Sequence, residues 1–177
     1  NKSIVPRKGF FDFLSSLQSE KIPFLIFSAG QGNIIKEFFQ TEKIMTPNVH
    51  LISNFYKFDD QGKVIGYSQP FIHTFNKNEV IISSTPYSKE IKARKNVLLL
   101  GDSLGDLGMT EGMEHDEIIR IGFLNENKDR FRKKYLKNFD VVITDDGPMD
   151  YVNKLLKEIL ISDFNTYIPS LNLESNS

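Results

Sequence analysis

Across 177 residues, 22 lysines and arginines nearly cancel 23 aspartates and glutamates, and there is no cysteine or tryptophan. This length fits one domain with a sizeable core, and near-neutrality offers no global positive field to recruit nucleic acid or an anionic membrane, so a small-molecule or protein partner is expected. Without cysteine there is neither a disulfide framework nor a thiolate metal site, and no apolar run approaches the roughly 20 residues that span a bilayer. The expected compartment is the cytoplasm.

The amino terminus, Asn1-Lys2-Ser3-Ile4, lacks a charged-then-apolar secretory layout and an initiating Met, and the natural protein is expected to be longer. From Gly9 to Glu20, Phe10, Phe11, Phe13, Leu14 and Leu17 give a helix one broad apolar stripe. Pro23-Phe24-Leu25-Ile26-Phe27 then reads as a buried strand, closed by the small-residue turn Ser28-Ala29-Gly30. Asn33 to Gln40, with Ile34, Ile35, Phe38 and Phe39, is a second amphipathic helix. Val49-His50-Leu51-Ile52 is another short strand, and Phe55–Phe58 with Val64–Tyr67 reads as a β-hairpin around Asp59-Asp60-Gln61-Gly62.

Pro70 to Pro86 is poorly periodic and reads as a loop region with short elements, followed by a helix near Ser88 to Arg94. Val97 to Gly101 is an apolar strand, with a short helix after Asp102. Next come a strand at 118–121, a charged helix from Asn127 to Leu136, a strand at 141–143 and a helix around Tyr151 to Leu160. Such alternation predicts a parallel sheet with helices on both faces. The domain is expected to end near residue 161, with 162–177 a weakly ordered tail.

In open α/β sheets, ligands bind beyond the carboxyl ends of strands, where helix N-termini direct free N–H groups outward. Two segments fall at such ends. At Ser28-Ala29-Gly30, small residues let the backbone approach an anion and the Ser28 hydroxyl adds a donor, although the same triplet also suits a plain helix start. At Gly101-Asp102-Ser103-Leu104-Gly105-Asp106, two carboxylates stand four residues apart. Oxygen-only ligands suit Mg²⁺, with one carboxylate on the metal and the second holding a metal-bound water or a lysine. Lys77, in His73-Thr74-Phe75-Asn76-Lys77, is a candidate to neutralise a phosphate oxygen during transfer.

Other features lead elsewhere. Ile35 stands where a dinucleotide fingerprint needs a third glycine, and no Gly-Lys-Ser or Gly-Lys-Thr P-loop occurs. Asp59 and Asp60 before Gly62 suggest a turn, since no glutamate completes a calcium loop. Lys128, Arg130, Arg132, Lys133, Lys134 and Lys137 read as a solvated helix face, and His50, His73 and His115 show no metal-ligand spacing.

Phe27-Ser28-Ala29-Gly30, His73 to Lys77 and Leu100 to Asp106 resemble motifs two, three and four of the haloacid dehalogenase superfamily. More closely, the chain resembles the cytosolic pyrimidine 5′-nucleotidase (type III) family and its 7-methylguanosine phosphate-specific branch. The likeness runs from about Gly9 to Leu160 and includes Ser53-Asn54-Phe55 and Ile121 to Asn125. It implies a Rossmann-like parallel sheet with a β-hairpin insertion, and hydrolysis of nucleoside 5′-monophosphates through an aspartyl-phosphate. It further implies that Ser28, Ala29 and Gly30 hold the phosphate with Lys77, that Asp102 ligates Mg²⁺, and that Asp106 supports the lysine or the metal site.

One part of the family pattern is missing. The nucleophile and general acid of the family are paired in an Asp-x-Asp-x-Thr or Asp-x-Asp-x-Val motif at the end of the first strand. No aspartate here makes that pair: Asp12 is followed two places on by Leu14, Asp140 by Val142, Asp145 by Gly147 and Asp146 by Pro148. The helical cap that selects the base is absent too. The expectation is a sheet lacking its central first strand, between the strands ending at Ser28 and Gly101, and an isolated chain that is inactive and exposes strand edges. The alternatives are a catalytically dead nucleotidase-like binding module, or a phosphatase of the same superfamily with another substrate.

Overall fold

The computed structural model describes residues 4–167. Gly9, at a φ of 83°, turns the chain into helix α1 (Phe10–Ser19), whose Phe13, Leu14 and Leu17 are buried. Strand β1 (Phe24–Gln31), helix α2 (Gly32–Thr41) and strand β2 (Val49–Asn54) follow, and β1 and β2 pair in parallel. A hairpin of β3 (Tyr56–Phe58) and β4 (Val64–Tyr67) comes next, then short helices α3 (Glu79–Ser83) and α4 (Ser88–Lys92). The second half contains β5 (Asn96–Gly101), a 3-10 helix at Leu104–Thr110, β6 (Glu117–Leu124), α5 (Lys128–Asn138), β7 (Val141–Thr144) and α6 (Asp150–Tyr167). Strands β5, β6 and β7 form a parallel sheet in that order.

Period-2 alternation sorts each strand between two faces. Along β6, Ile121 and Phe123 join Phe13, Leu17, Val152 and Leu156 of α1 and α6 in one core. Leu124 turns the other way, onto Tyr135 of α5 and Phe139 just after it. A Cβ on Gly122 would lie 2.7 Å from the Phe139 ring, so α5 packs directly on the backbone there. Along β1, Phe24 and Ile26 pack with α1 and α2, whereas Leu25 and Phe27 face a cluster with Ile52, Ile72 and Ile82. Helices therefore cover both faces.

The parallel sheet is split. Among the described residues, β1 pairs with β2 and β5 with β6, and no strand bridges β1 to β5. An apolar cavity of about 360 Å³ opens between them, walled by Phe10, Phe13, Phe24, Phe39, Leu100 and Phe123. The gap lies between the same two strands between which the family resemblance implies a further strand.

Two local expectations change. Ser28-Ala29-Gly30 is not a turn after the strand but a bulge within it: Phe27 pairs with Ile52 and Gln31 with Asn54, so three residues on β1 loop out opposite one on β2. The last helix runs to Tyr167, past the expected boundary near Leu160, and residues 168–177 of the expected tail lie outside the described residues. The hairpin turn holds as read, with the Asp59 carboxylate accepting the Gln61 and Lys63 N–H groups at 3.0 and 2.8 Å. No described helix is long and apolar enough to cross a membrane.

Ile121 is fully buried where β6 meets α1 and α6. Ile121→Ala should cost about 2–5 kcal/mol through lost burial and a residual cavity, read as a lower urea midpoint at unchanged slope.

Candidate active site

At the carboxyl end of β5 the chain turns at Asp102 and Ser103 into the 3-10 helix, and Asp106 folds back beneath the turn. Its Oδ2 accepts the Asp102 and Ser103 backbone N–H groups, both at 3.0 Å. Its Oδ1 accepts Lys77 Nζ at 2.7 Å. Both side chains are withdrawn from solvent, Lys77 to 11% and Asp106 to 5% exposure, so this is a largely buried ion pair whose carboxylate accepts three hydrogen bonds.

Glycines make that approach possible. A Cβ on Gly101 would sit 2.7 Å from Asp106 Cβ. One on Gly105 would sit 2.2 Å from Thr74 Cγ2, so the lysine-bearing loop presses on the helix backbone. The loop is braced internally, with Asn76 Oδ1 accepting the His73 N–H at 2.7 Å and Asn76 Nδ2 donating to the Phe71 carbonyl at 2.8 Å.

Asp102 is exposed, and its carboxylate has no hydrogen bond or ion pair among the described residues. Its carbonyl accepts the Tyr135 hydroxyl at 2.5 Å, tying α5 to the turn. Burial, reinforced by the Asp102 and Asp106 carboxylates, pushes the Tyr135 phenol above its usual range, so it remains a donor at neutral pH. A polar cavity of about 500 Å³ opens beside Asp102, lined by Ser103, Asn125, Glu126, Phe131 and Tyr135.

Across the gap, Ser28 Oγ accepts the Gly30 N–H at 3.0 Å inside the β1 bulge. Ser28 touches none of Lys77, Asp102 or Asp106 by hydrogen bond; its segment reaches the lysine loop through Asn54. This buried amide donates to the Ala29 carbonyl at 2.9 Å and the Ile72 carbonyl at 2.8 Å, and accepts the Ile72 N–H at 2.7 Å. Asn54 entered the sequence reading only as part of a connector. Its signal is a polar residue closing an apolar strand at the carboxyl edge of a parallel sheet.

The structure thus joins Lys77 to Asp106, sets Asp102 one turn away, and connects the 28–30 bulge through one intermediary. Among the described residues no cluster of three or more histidine, aspartate or glutamate side chains forms a complete metal site. A single free carboxylate at Asp102 fits Mg²⁺, which is held by one or two carboxylates with waters and phosphate oxygens completing its shell.

A parallel sheet presenting a lysine, acidic groups and a small-residue bulge along one carboxyl edge is the haloacid dehalogenase-like class of α/β protein. Comparison with known structures agrees. The crystal structure of cytosolic 5′-nucleotidase IIIB bound to cytidine superposes with a TM-score of 0.83 at 37% identity, covering 90% of this chain and 54% of that one. A phosphoserine phosphohydrolase-like protein from Francisella tularensis, at 16% identity and a TM-score of 0.50, shares the fold. The pyrimidine 5′-nucleotidase (UMPH-1) family model matches residues 1–160. The chain belongs to that family. It is 41% identical over 152 residues to 7-methylguanosine phosphate-specific 5′-nucleotidase A of Xenopus laevis, and 39% identical over 155 residues to the Homo sapiens 7-methylguanosine phosphate-specific 5′-nucleotidase. These alignments take 85% and 87% of this chain but 52% of each relative, so the chain spans about half the length of the relatives it matches.

The ion pair carries an asymmetric prediction. Asp106→Ala strands a buried lysine and two backbone N–H groups and should cost about 3–5 kcal/mol. Lys77→Met leaves Asp106 its two amide donors and should cost distinctly less. Paired urea titrations of the two variants measure the difference.

Proposed function

We propose that this chain supplies the phosphate-, lysine- and metal-binding elements of a Mg²⁺-dependent 5′-nucleotidase acting on pyrimidine or 7-methylguanosine nucleoside 5′-monophosphates. Its nucleophilic aspartate, which takes the phosphoryl group as an aspartyl-phosphate, lies on polypeptide outside these 177 residues. The observation that carries the reading is the buried Lys77–Asp106 pair beside the unpaired carboxylate of Asp102, in a chain of this family. The names of the relatives and the bound cytidine of the solved neighbour support the substrate class, and the word cytosolic in the neighbour's name supports a cytoplasmic setting. The apolar cavity between β1 and β5, which do not pair among the described residues, supports a missing nucleophile strand.

Each residue has a derivable task. Lys77 donates one N–H of its ammonium to Asp106 and has two left for phosphoryl oxygens, where fixed positive charge offsets the charge that develops during transfer. Because Asp106 holds the ammonium in place, little reorganisation is needed at the moment of reaction. Ser28 receives the Gly30 N–H on its oxygen, so its own proton is available to a phosphate oxygen, alongside the Ala29 and Gly30 backbone. Asp102 is the residue that would hold Mg²⁺, and Asp106, with both oxygens engaged, serves the metal site by fixing the 102–103 turn. When bound, the metal supplies charge neutralisation and orientation of the phosphate.

The decisive measurement is phosphate release from CMP, UMP and 7-methylguanosine monophosphate by the full-length gene product and by residues 1–177 alone. The full-length protein should turn over, lose activity in EDTA and regain it with Mg²⁺, whereas the 177-residue chain should be inactive. Lys77→Met should lower kcat by roughly 10²–10³. Robust turnover by residues 1–177 alone would overturn the external nucleophile, and an inactive full-length protein would overturn the nucleotidase reading.

A further inference from the structure

We infer that Asn54 is a positioning residue that locks the 28–30 bulge and the 71–77 lysine loop into one unit and so sets the separation of Ser28 from Lys77. The inference rests on the nucleotidase reading for its kinetic consequence, but its physical core stands on geometry alone.

Asn54 is 3% exposed, one of few buried polar side chains among the described residues. Its amide meets both the N–H and the C=O of Ile72, as a neighbouring strand would, and its second amide proton goes to the Ala29 carbonyl. The match is chemically narrow: two donors and one acceptor on a single planar group at this reach. Aspartate would lack the donors, leucine would lack all three groups, and glutamine would place them one methylene too far.

Consequences spread from both ends. A trans peptide unit is planar, so drawing the Ala29 carbonyl toward Asn54 aims the Gly30 N–H away from it, where it meets Ser28 Oγ. At the other end, Ile72 is 2% exposed in the cluster with Phe27 and Ile52, and the Asn76 braces carry its position forward to Lys77. Between the two anion-binding segments every link is a backbone bond or a short hydrogen bond.

The test compares Asn54→Ala and the milder Asn54→Ser in the full-length gene product with a control, Asn48→Ala. Asn48 also ties distant backbone through a half-buried side-chain amide, donating to the Ile22 carbonyl at 2.9 Å, but lies just before β2, at the end opposite Asn54. Amide exchange in segments 28–31 and 71–77 should rise together by roughly tenfold in Asn54→Ala, while β5 and β6 keep their protection. Nucleoside monophosphate turnover should fall by roughly 10²-fold in kcat with a much smaller rise in KM, as expected when the groups that hold the transferring phosphoryl are displaced while the nucleoside is bound by polypeptide outside the two segments. Asn54→Ser should show the same pattern more weakly, and it carries the test if the alanine variant does not fold. Asn48→Ala should lower the denaturation midpoint without either effect.

Parental exchange in either segment, or an equal kcat loss in Asn48→Ala at matched stability, overturns the inference. If the parent protein lacks nucleotidase activity, the proposed function fails and the exchange measurement alone decides the clasp.

Discussion

Burying a carboxylate is costly unless its charge and lone pairs are met, and Asp106 meets them with Lys77 on one oxygen and two backbone N–H groups on the other. This one group does three things at once. It holds the 102–103 turn against the end of β5, it holds Lys77 out of solvent, and it joins segments 29 residues apart in the chain. Gly101 and Gly105 follow from it, because a side chain at either would occupy space that Asp106 or Thr74 already fills. The exposure of Asp102 follows too: the turn that Asp106 fixes leaves the first carboxylate facing water while the second is consumed internally.

The split sheet sets the other constraint. Ser28 belongs to the β1–β2 pair and Asp102 follows directly on β5 of the β5–β6–β7 sheet, so the two sides of the site stand on opposite banks of an apolar gap. The crossing is made over the carboxyl edge. Phe27 and Ile52 from one bank share a cluster with Ile72 and Ile82, against which Met109 and Met113 from the other bank pack. Above that cluster runs the lysine loop, held by Asn54 on one side and Asp106 on the other. Among the described residues, the edges of β1 and β5 that flank the phenylalanine-rich cavity are unpaired, a liability for an isolated chain.

Much of this was legible from residue patterns. Continuous apolar runs marked β1, β2 and β5, helical spacing marked α1 and α2, and the alternation predicted a parallel sheet with two covered faces. The Lys77–Asp106 ion pair was legible only as a candidate, because a loop lysine becomes informative in the company of paired carboxylates and small residues at strand ends. The bulge was not, since strand pairing to Asn54, and not the local preference of Ser-Ala-Gly, keeps the chain extended to Gln31. The true end of α6 was missed because polar residues after Leu160 dilute the apolar stripe without breaking the helical backbone.

By itself, then, the amino-acid sequence determined the elements, the order of the motifs and the absence of an Asp-x-Asp pair, because each depends on residues close together along the chain. Only the tertiary structure decided that Asp106 spends both oxygens inside the protein, that Asp102 stays free, and that Asn54 ties two loops together. Those outcomes depend on which backbone groups are left without partners once segments distant in sequence are packed side by side, and no local pattern records that.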